Sequence, residues 1–144
     1  MSQNKLGLGL MLVSVAAAFG LFFSARNAAP VIEKNVFEPR SSQEAGVEVT
    51  VTPRLSAGVL ELEVIFDTHS GELSTDVAAD SALVDGKGTS YAPVAWDGDP
   101  PGGHHRTGVL KFGAIGTIPQ PMTLIIKKVG GVDRIFKWSN ETLN

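Results

Sequence analysis

Apolar and polar residues follow two different patterns in this chain, and the change between them divides it into two parts. Residues 6–23 form an uninterrupted apolar run that contains no charged side chain. From Val47 onward, apolar side chains recur at every second position, as they do in β-strands that bury one face. The sequence therefore predicts one hydrophobic helix near the N-terminus, followed by an all-β domain.

The alternating region breaks into short segments that are separated by clusters of Gly, Pro and Asp. We predict strands at residues 47–52, 59–67, 82–85, 89–95, 109–112, 122–129 and 133–138. The segment Gly86–Gly88 between two of them indicates a β-hairpin. About seven short strands without an amphipathic helical segment are typical of an antiparallel β-sandwich of immunoglobulin-like size, with a small closed barrel as the alternative.

The apolar run is 18 residues long, which corresponds to roughly 27 Å of α-helix, close to the thickness of a bilayer hydrocarbon core. A cleaved signal peptide is the competing interpretation, because Lys5 supplies a basic start. The candidate cleavage sites are unfavourable: a cut after Ala18 leaves a phenylalanine-rich terminus, and a cut after Ala29 places Pro30 beside the bond. We therefore expect residues 1–25 to hold a retained transmembrane helix.

The charges beside the run favour one orientation in the membrane. Lys5 and the α-amino group precede it without a neighbouring acidic residue, so we expect a cytoplasmic N-terminus. The bulk of the chain would then lie outside the cytoplasm, in a periplasm or at the cell exterior. The absence of cysteine is compatible with that compartment and excludes a lipoprotein anchor.

Small residues recur within the run at a spacing that lets two helices approach closely in lipid. They are Ser14, Ala16, Ala18 and Gly20. We predict that they pack against a helix of another membrane protein subunit, although small residues also populate membrane and signal segments in general.

Residues 26–46 show no sustained period, and they contain Pro30, Pro39 and the polar stretch 40–44. We expect them to form an extended linker, with the β-domain occupying residues 47–144. The formal net charge of the chain is −3, and no basic stripe with interleaved aromatic residues is present. These features argue against nucleic-acid binding.

All three histidines of the chain fall in two predicted loops. His69 follows the strand at 59–67, and His104 and His105 precede the strand at 109–112. If every connection reverses the chain direction, both loops lie at the same end of the domain.

This clustering suggests a Zn²⁺ or Cu²⁺ site formed by His69, His104, His105 and Asp67, since imidazole and carboxylate suit both ions. Asp97 or Asp99 would be a further ligand. The alternative is that the imidazoles form hydrogen bonds to backbone groups and hold the two loops together, without a cofactor. The histidine spacing matches no strong zinc signature, so the sequence leaves both interpretations open.

The residue types of a serine hydrolase triad also occur here, as Asp67, His69 and Ser70. A triad normally draws its members from separate segments, whereas these three lie within four positions. A nucleophile elbow and a glycine-rich phosphate loop are both missing from the sequence. We therefore predict that the protein is not an enzyme.

Four segments together carry a family resemblance: Asp67–Ser70 (DTHS), Tyr91–Trp96, Gly102–Arg106 (GGHHR) and Gly108–Phe112 (GVLKF). Over roughly residues 47–138 the chain resembles a largely uncharacterised family of small prokaryotic proteins that are exported and often membrane-anchored. The resemblance implies a β-sandwich outside the cytoplasm. It does not imply an activity.

The sequence as a whole predicts a non-catalytic, single-pass accessory subunit of a membrane protein complex. Its immunoglobulin-like β-sandwich would contact other proteins outside the cytoplasm, while its helix lies in the bilayer. The alternative prediction is an exported Zn- or Cu-binding domain that uses the two histidine loops.

Overall fold

The computed structural model describes residues 34–35, 37–113, 115 and 120–139. In this part of the chain all regular secondary structure is β, in ten strands. They are β1 (Lys34–Asn35), β2 (Arg40–Glu44), β3 (Val47–Ser56), β4 (Val59–Thr68), β5 (Ser81–Asp85), β6 (Ser90–Tyr91), β7 (Ala95–Gly98), β8 (His105–Lys111), β9 (Met122–Val129) and β10 (Val132–Trp138).

Among the described residues, no helix has the length and hydrophobicity needed to cross a bilayer. The transmembrane helix that the sequence predicts within residues 1–25 lies outside the described residues. The same holds for its small-residue stripe, Ser14, Ala16, Ala18 and Gly20. Both remain predictions from the sequence.

The described strands form two antiparallel sheets. Sheet A has six strands in the order β1-β3-β4-β8-β7, and β2 also pairs with β3. Sheet B has four strands in the order β10-β9-β5-β6. The longest pairing joins β3 to β4, from Val47 opposite Thr68 to Ser56 opposite Val59.

Both sheets contribute side chains to one hydrophobic core in the described part of the chain. The two-residue period decides which side chains these are: along β4 the inward residues Leu60, Leu62, Val64 and Phe66 are at most 1% exposed. In sheet B, Phe136 and Trp138 share the inner face as the sequence predicts. The prediction of an all-β domain with antiparallel sheets is therefore confirmed, in a sandwich-like arrangement.

The predicted hairpin around Gly86–Gly88 is present as the β5–β6 pair. The carboxylate of Asp85 accepts hydrogen bonds from the backbone N–H groups of Lys87 and Thr89, both at 2.8 Å, and from the Tyr91 hydroxyl at 3.1 Å. The bond from Thr89 contributes most to the lowered pKa of Asp85. The turn is thus stabilised by one side chain that satisfies several donors.

The single strand predicted at 89–95 is wrong. The chain leaves sheet B after Tyr91 and joins sheet A at Ala95, so Ala92, Pro93 and Val94 form a crossing between the sheets. Pro93 lacks the N–H group that a continuous ladder needs, and this favours the interruption.

Sheet A begins earlier than the sequence predicts. Residues 40–44, which the sequence assigns to the linker, pair with β3 as strand β2, from Arg40 opposite Val51 to Glu44 opposite Val47. Most side chains of β2 are exposed, because the strand lies at the edge of the sheet. An edge strand of this kind carries no alternation of apolar and polar residues from which it could be recognised.

A buried arginine joins the edge strand β2 to strand β10 of sheet B. The guanidinium of Arg134, on β10, donates hydrogen bonds to Ser42 Oγ at 3.1 Å and to the backbone carbonyl of Glu44. Its residue is fully buried at 0% exposure. In addition, the indole Nε1 of Trp138 donates to the Glu38 carbonyl at 2.9 Å. The segment that precedes β3 is therefore fixed to both sheets.

Two glycines allow β7 to approach β8 beneath an aromatic ring. Gly98 lies opposite Gly108, and a Cβ atom on Gly108 would be 2.5 Å from Trp96 Cζ2 and 2.6 Å from the Gly98 Cα. Such distances require backbone or ring movement, since the contact does not involve the flexible end of a side chain.

We expect Gly108→Ala to lower the free energy of unfolding by about 1–3 kcal/mol, because the added methyl group overpacks the β7–β8 contact. Urea denaturation followed by tryptophan fluorescence measures this difference. Gly113→Ala is the matched control, because its methyl group would meet only Val94 Cγ1 at an ordinary 3.6 Å. The control should stay within about 1 kcal/mol of the parent; equal stability of the two variants would contradict the overpacking.

Candidate functional site

The two histidine segments meet at one end of sheet A, as the sequence predicts. The prediction that His105 lies in a loop is wrong, because β8 begins at His105 and not at Val109. Asp67 at the end of β4 lies directly opposite His105 at the start of β8. One residue further, the Thr68 N–H donates to the His104 carbonyl at 2.8 Å. We call the region formed by residues 67–70 and 99–105 the histidine end.

Thr68 fixes the loop that carries His69. Its hydroxyl oxygen lies 2.9 Å from the carbonyl oxygen of Gly46 and 2.7 Å from that of Ser70, and it accepts a hydrogen bond from the Ser70 N–H. These contacts join the β2–β3 turn to the chain that leaves β4. Thr68 is buried, at 7% exposure, because it occupies the next inward-facing position of β4 after Phe66.

Asp67 and His105 form an ion pair on the outer face of sheet A. His105 Nδ1 lies 2.5 Å from Asp67 Oδ1, and both side chains are more than half exposed. The hydrogen bond to Asp67 is the main cause of the raised pKa of His105, and the negative charges of Asp67 and Asp99 act in the same direction. The other ring nitrogen, Nε2, lies 3.4 Å from the Thr107 hydroxyl.

The other candidate metal ligands are placed less favourably. His69 and His104 are exposed, and the contact that His104 makes to β4 uses its backbone carbonyl. The Asp97 carboxylate binds Lys111 Nζ at 2.7 Å, and Asp99 accepts the Thr107 N–H at 2.8 Å. Within the described residues, no group of three or more His, Asp or Glu side chains lies close enough together to hold a metal ion.

The sequence prediction did not include Arg106, which lies on the opposite face of β8 from His105. This residue is 2% exposed, and its guanidinium carbon lies 5.9 Å from the Phe66 ring centroid and 5.8 Å from that of Trp96. Both distances fall in the range of cation–π contacts. The two rings themselves meet edge to face, with 6.3 Å between their centroids.

The guanidinium of Arg106 also donates hydrogen bonds to backbone carbonyls of two loops. It donates to Leu73 at 2.9 Å, Thr75 at 2.8 Å and Asp99 at 3.2 Å. Burial lowers the pKa of Arg106, but an arginine keeps its charge at any physiological pH. On the core face of sheet A, Arg106 therefore joins the loop after β4 to the β7–β8 loop. On the outer face, the Asp67–His105 pair joins β4 to β8.

A shallow cleft of about 260 Å³ lies at the opposite end of the domain. Its described lining is mostly apolar and consists of Tyr91, Ala92, Val94, Phe112, Gly113 and Ile115. The Tyr91 hydroxyl is bound to Asp85. The cleft thus lacks the converging polar groups that orient a small-molecule ligand.

No family model matches the chain, and neither a curated protein nor a solved structure gives a match. The resemblance based on the DTHS and GGHHR segments therefore stays a prediction. The chemistry that the histidine end offers is an exposed, hydrogen-bonded carboxylate–imidazole pair, which can form hydrogen bonds to a partner or contribute one ligand to an ion.

We expect Asp67→Asn to lower the pKa of His105 toward its ordinary value of 6.5, because the variant removes the carboxylate that stabilises the imidazolium. An NMR titration of the three histidine side chains measures the shift, and His105→Gln assigns the signal. Since the folded-state pKa is raised, the stability that the pair contributes is fully present below the unfolded-state pKa. It is lost as the pH rises through the folded-state pKa.

Asp97→Asn is the control, because that carboxylate binds Lys111 on the same face of sheet A. It should leave the His105 titration unchanged. An unchanged His105 pKa in Asp67→Asn would show that the two side chains do not form this pair in solution.

Proposed function

We propose that this protein is a non-catalytic, single-pass membrane subunit whose β-domain contacts other proteins outside the cytoplasm. The observation that carries this proposal is the uncharged apolar run at residues 6–23, followed within a short distance by a folded β-domain. A run of this length and composition is the usual sign of a membrane-spanning helix.

The finer fold proposal is an immunoglobulin-like β-sandwich, and the strand order supports it. When β3 to β10 are lettered A, B, C, C′, D, E, F and G in chain order, sheet A reads A-B-E-D. Sheet B then reads G-F-C-C′. This is the division of strands between the two sheets of immunoglobulin domains. Such sandwiches serve many binding functions, so the fold agrees with a contact role without naming the partner.

The position of β1 relates the histidine end to the membrane under this proposal. Lys34 on β1 pairs with Leu55, near the end of β3 that is opposite the histidine end. The ten residues 24–33 can span at most roughly 35 Å between the run and the domain. From Leu55 to Val47, β3 extends roughly 26 Å. The chain therefore enters the domain roughly 26 Å from the histidine end, which leaves that end free for the extracytoplasmic part of a partner.

We expect the full-length chain to stay in the membrane fraction after alkaline extraction and to co-purify with other proteins in mild detergent. Mass spectrometry should show that the mature chain retains residues 6–23. The double variant Val13→Arg, Val15→Arg should leave the membrane fraction, because each charge at the centre of the run costs about 2.5–3.5 kcal/mol on insertion.

Val94→Arg is the matched control for this experiment, because Val94 is 69% exposed on the β-domain. It should remain in the membrane fraction. A mature chain that begins after Phe23 would overturn the anchored form of the proposal, and a chain that always isolates alone from native membranes would overturn the subunit role.

A second candidate function, binding of Zn²⁺ or Cu²⁺ outside the cytoplasm, is favoured by the contact between Asp67 and His105. Histidines that ligate metals commonly give their other ring nitrogen to a carboxylate, as Nδ1 of His105 does here. Nε2 would then be the ligating atom, and the exposed loops would have to bring in His69 and His104. The described geometry supplies one oriented ligand of the several that are needed.

Isothermal titration of the full-length chain with Zn²⁺ tests this candidate. If the ion binds at the histidine end, His105→Ala, His69→Ala and His104→Ala should each weaken binding at least about tenfold. Glu61→Gln, at the far end of the same sheet face, should not. Binding that survives all three histidine substitutions would remove this site.

A further inference from the structure

The outer face of sheet B carries an apolar row that is half-buried on β9 and β5 and exposed at Ile135 on β10. In the register of the sheet, Ile135 on β10 lies opposite Ile125 on β9, which lies opposite Ala82 on β5. Ile135 is 56% exposed, and Val84 lies two residues from Ala82 on the same face. Within the described part of the chain, this row crosses three strands and is not covered.

The charges on β10 are arranged symmetrically about this row. Asp133 and Lys137 lie two residues before and two residues after Ile135, so both share its face at roughly 7 Å on either side. Asp133 lies at a register shift, and its Oδ1 accepts the Lys128 N–H at 3.1 Å, which leaves Oδ2 for a further contact. A two-fold axis along the row reverses the strand direction of the second copy. It therefore sets Lys137 of each copy against Asp133 of the other, and Ile135 against Ile135.

The outer face of sheet A has a different character. Its outward positions carry an excess of carboxylates: Glu48, Glu61, Glu63, Asp67 and Asp97, against Arg54, Lys111 and the His105 imidazole that pairs with Asp67. Two such faces would repel each other. The outer face of sheet B also carries Lys127, and its Lys128 Nζ pairs with Asp80 Oδ1 at 2.8 Å, so positive and negative charges are nearly balanced there, unlike on sheet A.

We propose that two copies of this chain associate through the outer faces of sheet B, about a two-fold axis that follows the row Ile135–Ile125–Ala82. The isoleucines supply apolar contact, and the two symmetric Lys137–Asp133 pairs set the register. The contact uses neither the histidine end nor the apolar run at residues 6–23, so it is independent of the function proposed above.

Because the chain contains no cysteine, a single introduced thiol reports this contact directly. We expect full-length Ile135→Cys to form a covalent dimer with a short bis-maleimide, since the two-fold axis places the two thiols side by side. Thr107→Cys is the matched control, since Thr107 lies on the outer face of sheet A. It should stay predominantly monomeric at the same protein concentration.

The register is tested by reversing one charge in the Ile135→Cys background. Lys137→Glu turns both ion pairs into repulsive contacts, so the dimer dissociation constant should rise roughly tenfold, measured as the protein concentration at which half of the chain is crosslinked. Lys87→Glu makes the same change in charge in the exposed β5–β6 turn and should leave crosslinking unchanged.

Two results would overturn the proposal: equal crosslinking of Ile135→Cys and Thr107→Cys, or equal effects of Lys137→Glu and Lys87→Glu. Neither result affects the accessory role, because co-purification with other membrane proteins is measured separately. Conversely, a cleaved N-terminal segment would overturn the anchored form of the accessory role and leave the crosslinking of the β-domain intact.

Discussion

The histidine end is organised around one buried cation, Arg106, whose contacts add to the backbone hydrogen bonds of Leu73 with Gly102 and Gly103. Arg106 lies over the rings of Phe66 and Trp96, which contact each other, and donates to carbonyl groups of two separate loops. A charge that is buried this deeply is tolerated only when its donors are satisfied and its charge meets favourable surroundings. The π faces and the three carbonyl dipoles provide those surroundings and satisfy Nη1 and Nη2, whereas Nε has no hydrogen-bond partner among the described residues. His105 immediately precedes Arg106 on β8, so it points to the outer face, where the strand register places it opposite Asp67.

The long central strands could be predicted from the sequence because burial on one face leaves a strict two-residue period. In β4 the inward residues Leu60 to Phe66 follow that period, and the structure buries all of them. The same period contained a signal for Arg106 that the sequence prediction did not use. Arg106 is in phase with Gly108, Leu110 and Phe112, all buried, so its position on the strand placed it inside despite its charge. In this chain the arginines in the apolar phases of β8 and β10, Arg106 and Arg134, are both buried and both donate to backbone carbonyls.

The features of the fold that could not be predicted from the sequence depend on contacts between residues far apart in the chain. Strand β2 is polar because it is an edge strand, and its position is fixed by Arg134, which lies about 90 positions away. The break after Tyr91 reflects the transfer of the chain from one sheet to the other, which no local pattern records. The Asp67–His105 pair was predicted only as nearby residues in two loops, since the exact opposition of the two side chains follows from the register of β4 and β8.

Arg106 and Arg134 have the same structural role at two places: each joins separate backbone segments in a domain that has no disulfide. Each extends a planar, multidentate donor to backbone carbonyls of segments that the sheets do not otherwise join: loops at the histidine end, and β2 with β10 at the edge. Backbone carbonyls are always present whatever the side chain, so the acceptors of these contacts do not depend on the identity of the loop residues. The loops and outer faces are thereby held in place from within. Their outward side chains, including Asp67, His105 and Ile135, are left available for contacts with other molecules.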